Sequence, residues 1–201
     1  MTFSRDNPSA RYRELIGLYS KLHADGETQR RLPPERTYPG INLLPHLGRI
    51  KQLIDRTGAR SVLDYGCGKG LQYDAVDFDA PGIGRIESVI DYWDIDEVIC
   101  YDPCVPNFSR LSAEGAHGVI ATDVLEHCPE EDISWIVREM FAHAQRFVFA
   151  SIACYPAMTH LPNGENAHCT IRPPEWWQAE FTAAKQDRPS VIWEIFIDGI
   201  G

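Results

Sequence analysis

Three groups of residues in this chain have types and spacings that suit ligand binding. In the first, residues 64–70, an acid is followed by glycines at every second position. Because glycine lets the backbone turn sharply and approach a ligand closely, this stretch predicts a binding loop. The other two groups, Asp102 and residues 123–127, each follow a short apolar segment that is typical of a buried strand. Carboxylates at the ends of such strands can accept hydrogen bonds from a ligand.

These residues need regular elements to position them. Apolar residues at helical spacing predict helices at 10–23 and 130–143, a second helix at about 42–57 that ends at Gly58, and a last helix at 174–185. Continuous apolar runs predict strands at 61–65, 97–101, 118–122, 146–153 and 191–197. The turn and helix after the glycine run should offer free backbone N–H groups to a ligand. A further strand between Asn107 and Ala116 is hard to see and is not assigned.

Two segments interrupt this pattern. Residues 25–40 are rich in proline and carry Arg30, Arg31 and Arg36, so we predict a basic loop that serves as a lid or a tether. Its arginines either pair with the acidic body or meet an anionic group of a substrate. Residues 71–96 are rich in acids and contain a proline and glycine turn, which predicts an insertion in the first crossover. The aromatic pair in that insertion, Tyr92 and Trp93, is predicted to lie in the core and not to cap a cofactor.

Composition sets limits on the class of protein. A chain of 201 residues with 44% hydrophobic residues is enough for one well-buried domain. The net charge is −10, and only the first 60 residues are basic, which argues against sequence-independent binding to nucleic acid. The six cysteines show no paired CxxC spacing and fit free thiols in a reducing cytoplasm. We find no signal-peptide pattern and no apolar run that could span a bilayer, so we expect a cytoplasmic protein without a membrane partner.

Two of these motifs resemble those of class I S-adenosylmethionine-dependent methyltransferases. VLDYGCGKG at residues 62–70, with an acid two residues before the first glycine, is similar to motif I of that family. DVLEH at residues 123–127 is similar to the segment that follows the fourth strand in its small-molecule members. The resemblance covers roughly residues 42–197, and leaves residues 1–41 as a separate N-terminal helix and basic segment before a methyltransferase domain at 42–201.

The resemblance implies a Rossmann-like α/β fold, with a mostly parallel, doubly wound sheet and helices on both faces. The seventh strand of most members is missing from the predicted elements. Its loss would leave a sheet edge that the partner subunit of a homodimer could cover. By the same resemblance, the residues that bind S-adenosylmethionine are Asp64, Gly66, Cys67, Gly68, Asp102, Pro103, Asp123 and Val124.

Among these residues, Asp102 has two acceptor oxygens for the two ribose hydroxyls of the cofactor. It lies further from the glycines than is usual, which we attribute to the insertion at 71–96. Methyl transfer from a sulfonium is an in-line displacement, so a base is needed only where the nucleophile must lose a proton. His127 and His168 are the candidate catalytic bases, because the pKa of histidine lies near neutral pH. The alternative for His127 is a helix-entry residue without a catalytic role.

A divalent metal ion is a second source of an activated oxygen. Glu126, His127 and His168, together with Asp123, are similar in type to the ion-binding set of small-RNA terminal 2′-O-methyltransferases and of ubiquinone-pathway O-methyltransferases. The resemblance implies an ion on Glu126, His127 and His168 that lowers the pKa of a substrate hydroxyl. This chain has Asp123 where the first family has glutamate, and a different distance to the second histidine.

The sequence therefore predicts an S-adenosylmethionine-dependent methyltransferase that acts on a small molecule, on the oxygen of a hydroxylated metabolite. An N-methyltransferase stays open, because a neutral amine needs fewer protein groups. A non-catalytic module that binds S-adenosylmethionine or a nucleotide also stays open, since a fold does not fix a function. The glycine spacing and the DVLEH run disfavour an NAD-dependent dehydrogenase.

Overall fold

The centre of the protein is a sheet of five parallel strands, seen in a computed structural model that describes residues 3–199. The strands in chain order are β1 (Ser61–Tyr65), β2 (Phe78–Ala80), β3 (Gly84–Ile86), β4 (Glu97–Tyr101), β5 (Ala116–Thr122), β6 (Ala144–Ala153) and β7 (Ile192–Asp198). The parallel sheet has the order β4-β1-β5-β6-β7, while β2 and β3 form a separate antiparallel hairpin. The chain therefore reverses direction across the sheet between β1 and β5.

Helices cover both faces of this sheet. The first helix, α1 (Ala10–Asp25), packs in a separate cluster with Leu161 and Ala167, and the two faces are covered by α2 (Leu47–Thr57), α3 (Val89–Trp93), α4 (Glu130–His143) and α5 (Pro174–Lys185). Alternate residues of β1 show the two faces, because Leu63 packs in one core with α4 and α5 whereas Val62 packs in the other with α2 and α3. The prediction of a Rossmann-like, mainly parallel α/β fold is confirmed. Within residues 3–199, no helix has the length and apolar character that a membrane span requires.

Several predicted elements are confirmed with their bounds. These are β1, β4, α4 and α5, while α1, β5, β6 and β7 differ from the prediction by a few residues at one end or both. Gly58 caps α2 in the left-handed conformation, at φ +64°, and its N–H contacts the carbonyl oxygen of Ile54. Trp93 is fully buried and donates from Nε1 to the carbonyl oxygen of Leu47 at 3.1 Å, so it belongs to the core as expected.

Two helix predictions were wrong. The helix expected at 42–57 is α-helical only from Leu47, because Pro45 has no N–H to donate and Ile41–His46 forms a 3-10 helix instead. No α-helix follows the glycine run directly in the described chain. A single 3-10 turn, Leu71–Tyr73, leads there into the β2–β3 hairpin and the short α3. The predicted insertion at 71–96 therefore takes the place of a crossover helix.

Both edges of the sheet are visible in the described residues. Between β4 and β5 the chain forms one 3-10 turn, Pro106–Phe108, and within residues 3–199 no strand pairs with the outer side of β4. At the other end, β7 pairs with β6 from Phe147–Ile192 to Ala153–Asp198. β4 and β7 are thus the two edge strands of the described sheet, and β4, β1 and β5 lie side by side in it.

The packing between β5 and β6 gives a first prediction. A Cβ added to Gly118 would lie 2.2 Å from the ring of Phe147, so Gly118→Ala overpacks the core and should lower the free energy of unfolding by about 1–3 kcal/mol. Gly17 in α1 is the matched control, since among the described residues nothing lies within 4 Å of its added Cβ. Gly17→Ala should raise the free energy of unfolding by about 0.5–1 kcal/mol. Urea unfolding followed by circular dichroism measures both, and equal effects would contradict the packing described.

Candidate active site

The glycine loop joins the end of β1 to the ends of its two neighbours. The N–H groups of Gly66 and Cys67 donate to the carbonyl oxygen of Tyr101, the last residue of β4, at 2.7 and 3.1 Å. Gly66 has φ +86°, and a Cβ added there would lie 2.5 Å from a methyl carbon of Val124. A side chain at this position would therefore be strained and would collide with the residues after β5.

Asp64 in β1 is buried beneath this loop and has one unpaired oxygen. Its Oδ2 accepts hydrogen bonds from Gln72 Nε2 at 3.0 Å and from the Tyr73 hydroxyl at 2.8 Å. Its Oδ1 is buried and has no hydrogen-bond partner among residues 3–199. Burial raises the pKa of Asp64 to about 7 against these two hydrogen bonds, and the charge of Asp102 adds to the rise. An unpaired buried oxygen is costly, so it marks a place for a donor.

Asp102 follows β4 and faces the same loop. Its Oδ2 accepts from the N–H of Gly68 at 3.0 Å, and its Oδ1 accepts from the N–H of Cys104 at 2.8 Å. Burial raises the pKa of Asp102 to about 6, while these two backbone hydrogen bonds and the Lys69 ammonium group oppose the rise. Each carboxylate oxygen keeps a second lone pair. Asp102 can therefore hold the loop and accept from a ligand at the same time.

Residues 37–42, which we call the cover segment, lie across the glycine loop. The carbonyl oxygen of Tyr38 accepts from the N–H of Lys69 at 3.0 Å, and that of Pro39 accepts from the N–H of Leu71 at 3.2 Å. Lys69 Nζ also donates to the carbonyl oxygen of Thr37 at 2.7 Å. The basic loop predicted as a lid or a tether therefore ends in a segment that is bonded to the glycine loop.

The other end of that basic loop is held by the body of the protein. Arg30 Nη1 lies 3.8 Å from Glu27 Oε2 and donates to Thr159 Oγ1 at 3.4 Å. Glu27 lies in the same loop, so this ion pair is neither the predicted pairing with the acidic body nor a contact to a substrate group, and both roles stay predictions.

The predicted cofactor residues line two adjoining cavities. Both are bordered by Gly66, Gly68, Asp123 and the unpredicted Tyr38. The first cavity adds Asp102, Pro103 and Val124, and the second adds Asp64 and Cys67. The structure therefore brings every predicted cofactor residue into one region at the carboxyl ends of β1, β4 and β5.

One wall of the first cavity and two residues of the cover segment were not predicted. The wall consists of five residues of α1, Tyr12, Leu15, Ile16, Tyr19 and His23. Their helical spacing predicts an apolar face, but it does not tell what that face covers. The hydroxyl of Tyr38 is buried without a hydrogen-bond partner in the described part of the chain, and Asn42 Nδ2 donates to Asp123 Oδ2. Tyr38 lies in a segment without periodicity and Asn42 at the start of a predicted helix, and in neither place does a local signal mark a contact to the site.

Beside these cavities, Asp123, His127 and His168 form a cluster that could hold a metal ion. One ligand atom from each of the three residues lies within 4.8 Å of the others. His168 Nε2 is 3.9 Å from Asp123 Oδ1, and the two imidazole ring centroids are 4.7 Å apart. Two imidazoles and one carboxylate are a donor set that suits divalent transition metals. The predicted proximity of His127 and His168 is confirmed, and the acid beside them is Asp123.

Backbone carbonyl groups determine which ring nitrogen of each histidine carries the proton. His168 Nδ1 lies 2.6 Å from the carbonyl oxygen of Tyr155, and His127 Nδ1 lies 3.1 Å from that of Ala167. The Tyr19 hydroxyl lies closer to His127 Nδ1, at 2.8 Å, and donates its hydrogen to the Ala167 carbonyl oxygen at 2.6 Å. Since a carbonyl oxygen only accepts and the hydroxyl has no second hydrogen, each Nδ1 carries a hydrogen, which leaves a lone pair on Nε2 of each neutral ring. Among residues 3–199, nothing forms a hydrogen bond with the buried His127 Nε2. Carbonyl contacts of this kind orient metal-binding histidines.

The electrostatic setting of His127 favours a ligand over a base. Burial lowers the pKa of His127 below its usual value, against the attraction of the Asp123 carboxylate, and His168 lowers it further. The imidazole is therefore neutral at pH 7, which is the form that binds metal ions. A lowered pKa also makes it a weaker base, so the predicted role of His127 as a general base gains no support from its surroundings.

Glu126 lies outside this cluster, contrary to the ion-binding set expected from the resemblance. Its side chain is fully buried, and Oε1 accepts from the N–H of Ala153 at the end of β6. Asp123 takes its place in the cluster. The reason is local, because Asp123 has φ +61° and Leu125–His127 is a 3-10 turn, so this stretch of the described chain is not the regular helix in which Asp123, Glu126 and His127 would share one face. Glu126 bonds instead to the end of β6.

Comparisons with protein-family models, with curated proteins and with solved structures found no match to this chain. The likeness to methyltransferases thus remains the one carried by two short motifs, at residues 62–70 and 123–127.

Proposed function

We propose that this protein is a class I S-adenosylmethionine-dependent methyltransferase that methylates an oxygen of a small hydroxylated molecule. The observation that carries the proposal is the pair of buried acids, Asp64 and Asp102, at the ends of two neighbouring parallel strands on either side of a glycine loop. β4 and β5 lie on opposite sides of β1, and open α/β sheets bind ligands at such a reversal.

The donors and acceptors of the two cavities match this cofactor. Asp64 Oδ1, buried and unpaired within residues 3–199, would accept a hydrogen bond from the ammonium group of the methionine part. Asp102 has a free lone pair on each oxygen for the two ribose hydroxyls. The apolar wall from α1, with Pro103 and Val124, would cover the adenine. A dinucleotide would leave the unpaired oxygen of Asp64 without an ammonium partner.

The chain's part in the reaction is alignment and exclusion of water. S-Adenosylmethionine supplies a methyl group on a positively charged sulfur. The neutral thioether that remains after transfer is a good leaving group. With the cofactor held at Asp64 and Asp102, its methyl group would pass to an acceptor oxygen, and the acceptor's proton would leave to solvent on the side of Asp123, which the cover segment and α1 do not close. The cover segment and α1 close the cofactor side of the site, so the acceptor has to approach from the side of Asp123.

Asp123, His127 and His168 fit a divalent ion as a second component of the proposal. Both Nε2 atoms present lone pairs, and both Nδ1 atoms are fixed by carbonyl groups. An ion held there supplies positive charge that lowers the pKa of a hydroxyl group. Because Asp123 also borders both cofactor cavities, the three ligands would place an acceptor hydroxyl beside the methyl group.

Calorimetric titration tests the cofactor assignment. S-Adenosylhomocysteine should bind to the protein and NAD should not. Asp102→Ala should weaken that binding by about tenfold to a hundredfold, because the ribose hydroxyls lose charge-assisted hydrogen bonds. Asp187→Ala is the matched control, since Asp187 is exposed just after α5 and lies outside the cavities. Thermal unfolding of each variant checks that it is folded. Tight binding of NAD without binding of S-adenosylhomocysteine would contradict the proposal.

A further inference from the structure

A third cavity lies at the carboxyl ends of β6 and β7, on the far side of Asp123 from the glycine loop. It has a volume of about 460 Å³, which is within the range of small-molecule sites. Asn42 and Asp123 border it as well as the cofactor cavity that contains Asp64. Of the residues predicted from the sequence to bind the cofactor, only Asp123 borders this third cavity.

The lining of this third cavity is mainly polar and includes a buried side chain with an unpaired atom. Glu126 borders the cavity, is 0% exposed, and uses Oε1 to accept from the N–H of Ala153. Its Oε2 is buried without a hydrogen-bond partner among the residues that the structure describes. Burial and the charge of Asp123 raise the pKa of Glu126, so it offers a protonated carboxyl group, while Asp123 and Asp198 add two carboxylates and Ser151 adds a hydroxyl. Such a lining leaves acceptors that a ligand has to satisfy.

The positive groups of the cavity do not offer a site for an anion. Arg49 Nη1 is 3.3 Å from Glu194 Oε1, and its guanidinium group lies 4.9 Å from the centre of the Phe196 ring. The His46 ring packs against the Phe196 ring at a tilt of 56°, with centroids 5.0 Å apart, and burial together with the charge of Arg49 lowers the pKa of His46, so this imidazole is neutral at pH 7. With Arg49 paired, the remaining charge of the lining is acidic, which disfavours a phosphate or a carboxylate.

A flat aromatic acceptor would need a free aromatic face, and the Phe196 ring of this lining is already covered by the Arg49 guanidinium group and the His46 ring. A sugar ring, in contrast, carries hydroxyl groups that both donate and accept, so it pairs with carboxylates, amides and hydroxyls alike. Tyr155 stands at the mouth of the cavity, 43% exposed, with its hydroxyl donating to Asp198 Oδ2 at 2.6 Å. An exposed ring beside polar groups offers an apolar surface against which the C–H face of a sugar can pack.

We infer that this cavity binds the methyl acceptor and that the acceptor is an uncharged, polyhydroxylated molecule of saccharide size. That the bound molecule is methylated rests on the proposed methyltransferase function. That a saccharide binds in this cavity does not depend on that function. Glu126 and Asp198 receive hydroxyl groups of the ring, and the hydroxyl that is methylated faces Asp123. These residues are binding and positioning groups, and the inference adds no covalent step to the one already described.

Saturation-transfer NMR and calorimetry with a panel of methyl glycosides of neutral hexoses and pentoses test the inference. In the presence of S-adenosylhomocysteine, at least one glycoside should bind saturably, while catechol and glucose 6-phosphate should not. Asp198→Asn and Tyr155→Ala should each weaken that binding by about tenfold, through a lost charge-assisted hydrogen bond and a lost ring. Asp187→Asn and Ile171→Ala are matched controls at exposed positions outside the cavity and should leave it unchanged.

The outcomes separate this inference from the function on which it partly rests. If S-adenosylhomocysteine binds and no glycoside does, or if catechol or the sugar phosphate binds and responds to Tyr155→Ala, the acceptor inference is wrong and the methyltransferase proposal stands. If a glycoside binds in the way described and S-adenosylhomocysteine does not, the saccharide site is supported and the methyltransferase proposal fails. Glycoside binding that all four variants leave unchanged would place the sugar elsewhere and overturn the inference.

Discussion

Manganese(II) should bind to the wild-type protein as a single ion, and His168→Ala should weaken that binding by about a hundredfold or more. The ligand atoms of Asp123, His127 and His168 lie within 4.8 Å of one another, and both imidazoles are held through Nδ1. Loss of the His168 imidazole leaves two ligands and removes a ring whose Nε2 lies 3.9 Å from Asp123 Oδ1. The electron paramagnetic resonance signal of free manganese(II), followed during a titration, measures the binding directly.

His160→Ala is the matched control for this experiment. His160 lies in the same 154–173 loop as His168 and is outside the cluster of ligand atoms, so its replacement should leave the affinity for manganese(II) unchanged. Absence of binding to the wild-type protein, or an equal loss in the two histidine variants, would rule out the site. Exhaustive chelation should also abolish methyl transfer to an oxygen acceptor, since the lowered pKa of His127 leaves that residue a weak base.

S-Adenosylhomocysteine should bind about tenfold more tightly at pH 8 than at pH 6. Burial raises the pKa of Asp64 to about 7, so at pH 6 roughly one molecule in ten has this carboxyl group ionised. An ammonium group pairs with the ionised form, and binding at pH 6 has to displace a proton first. Asp102, with a pKa of about 6, adds to the weakening below that pH. Calorimetry between pH 5 and pH 8 measures the dependence.

The free protein should show the opposite trend in stability. An acid whose pKa rises on folding binds its proton more tightly in the folded state, so the free energy of unfolding falls as the pH increases from about 4 to about 7. Asp64→Asn should remove most of the pH dependence of S-adenosylhomocysteine binding between pH 6 and pH 8, while Asp187→Asn should preserve it. A dissociation constant that is flat over this range in the wild-type protein would contradict the role given to Asp64.

The elements that the sequence predicted well are those whose signal is local. α4 and α5 have apolar residues at helical spacing and begin at charged residues or proline. β1 and β4 are short apolar runs. The bounds of all four elements therefore follow from the order of residues within each segment. The hairpin and the short helix within residues 71–96 were not predicted. The hairpin is held by the pairing of Phe78 with Ile86, a contact between two short segments that carry no strong pattern of their own.

The candidate site divides in the same way. Glycine spacing and strand ends predicted the region around Asp64 and Asp102, because parallel strands bring their carboxyl ends to one edge. The ion-binding set was only partly predicted, since the left-handed backbone of Asp123 cannot be read from its neighbours. Tyr38 and the polar cavity beyond Asp123 depend on contacts between distant parts of the chain, and no spacing in the sequence encodes them.

The cover segment has a consequence for where this chain can be shortened. It precedes β1 in the sequence, yet it supplies the acceptors for the N–H groups of Lys69 and Leu71 and the amide that contacts Asp123. A truncated protein that began at the glycine motif would lose one wall of the cofactor cavities together with α1. The smallest piece worth expressing for binding studies therefore starts before α1, although every recognisable motif lies after residue 60.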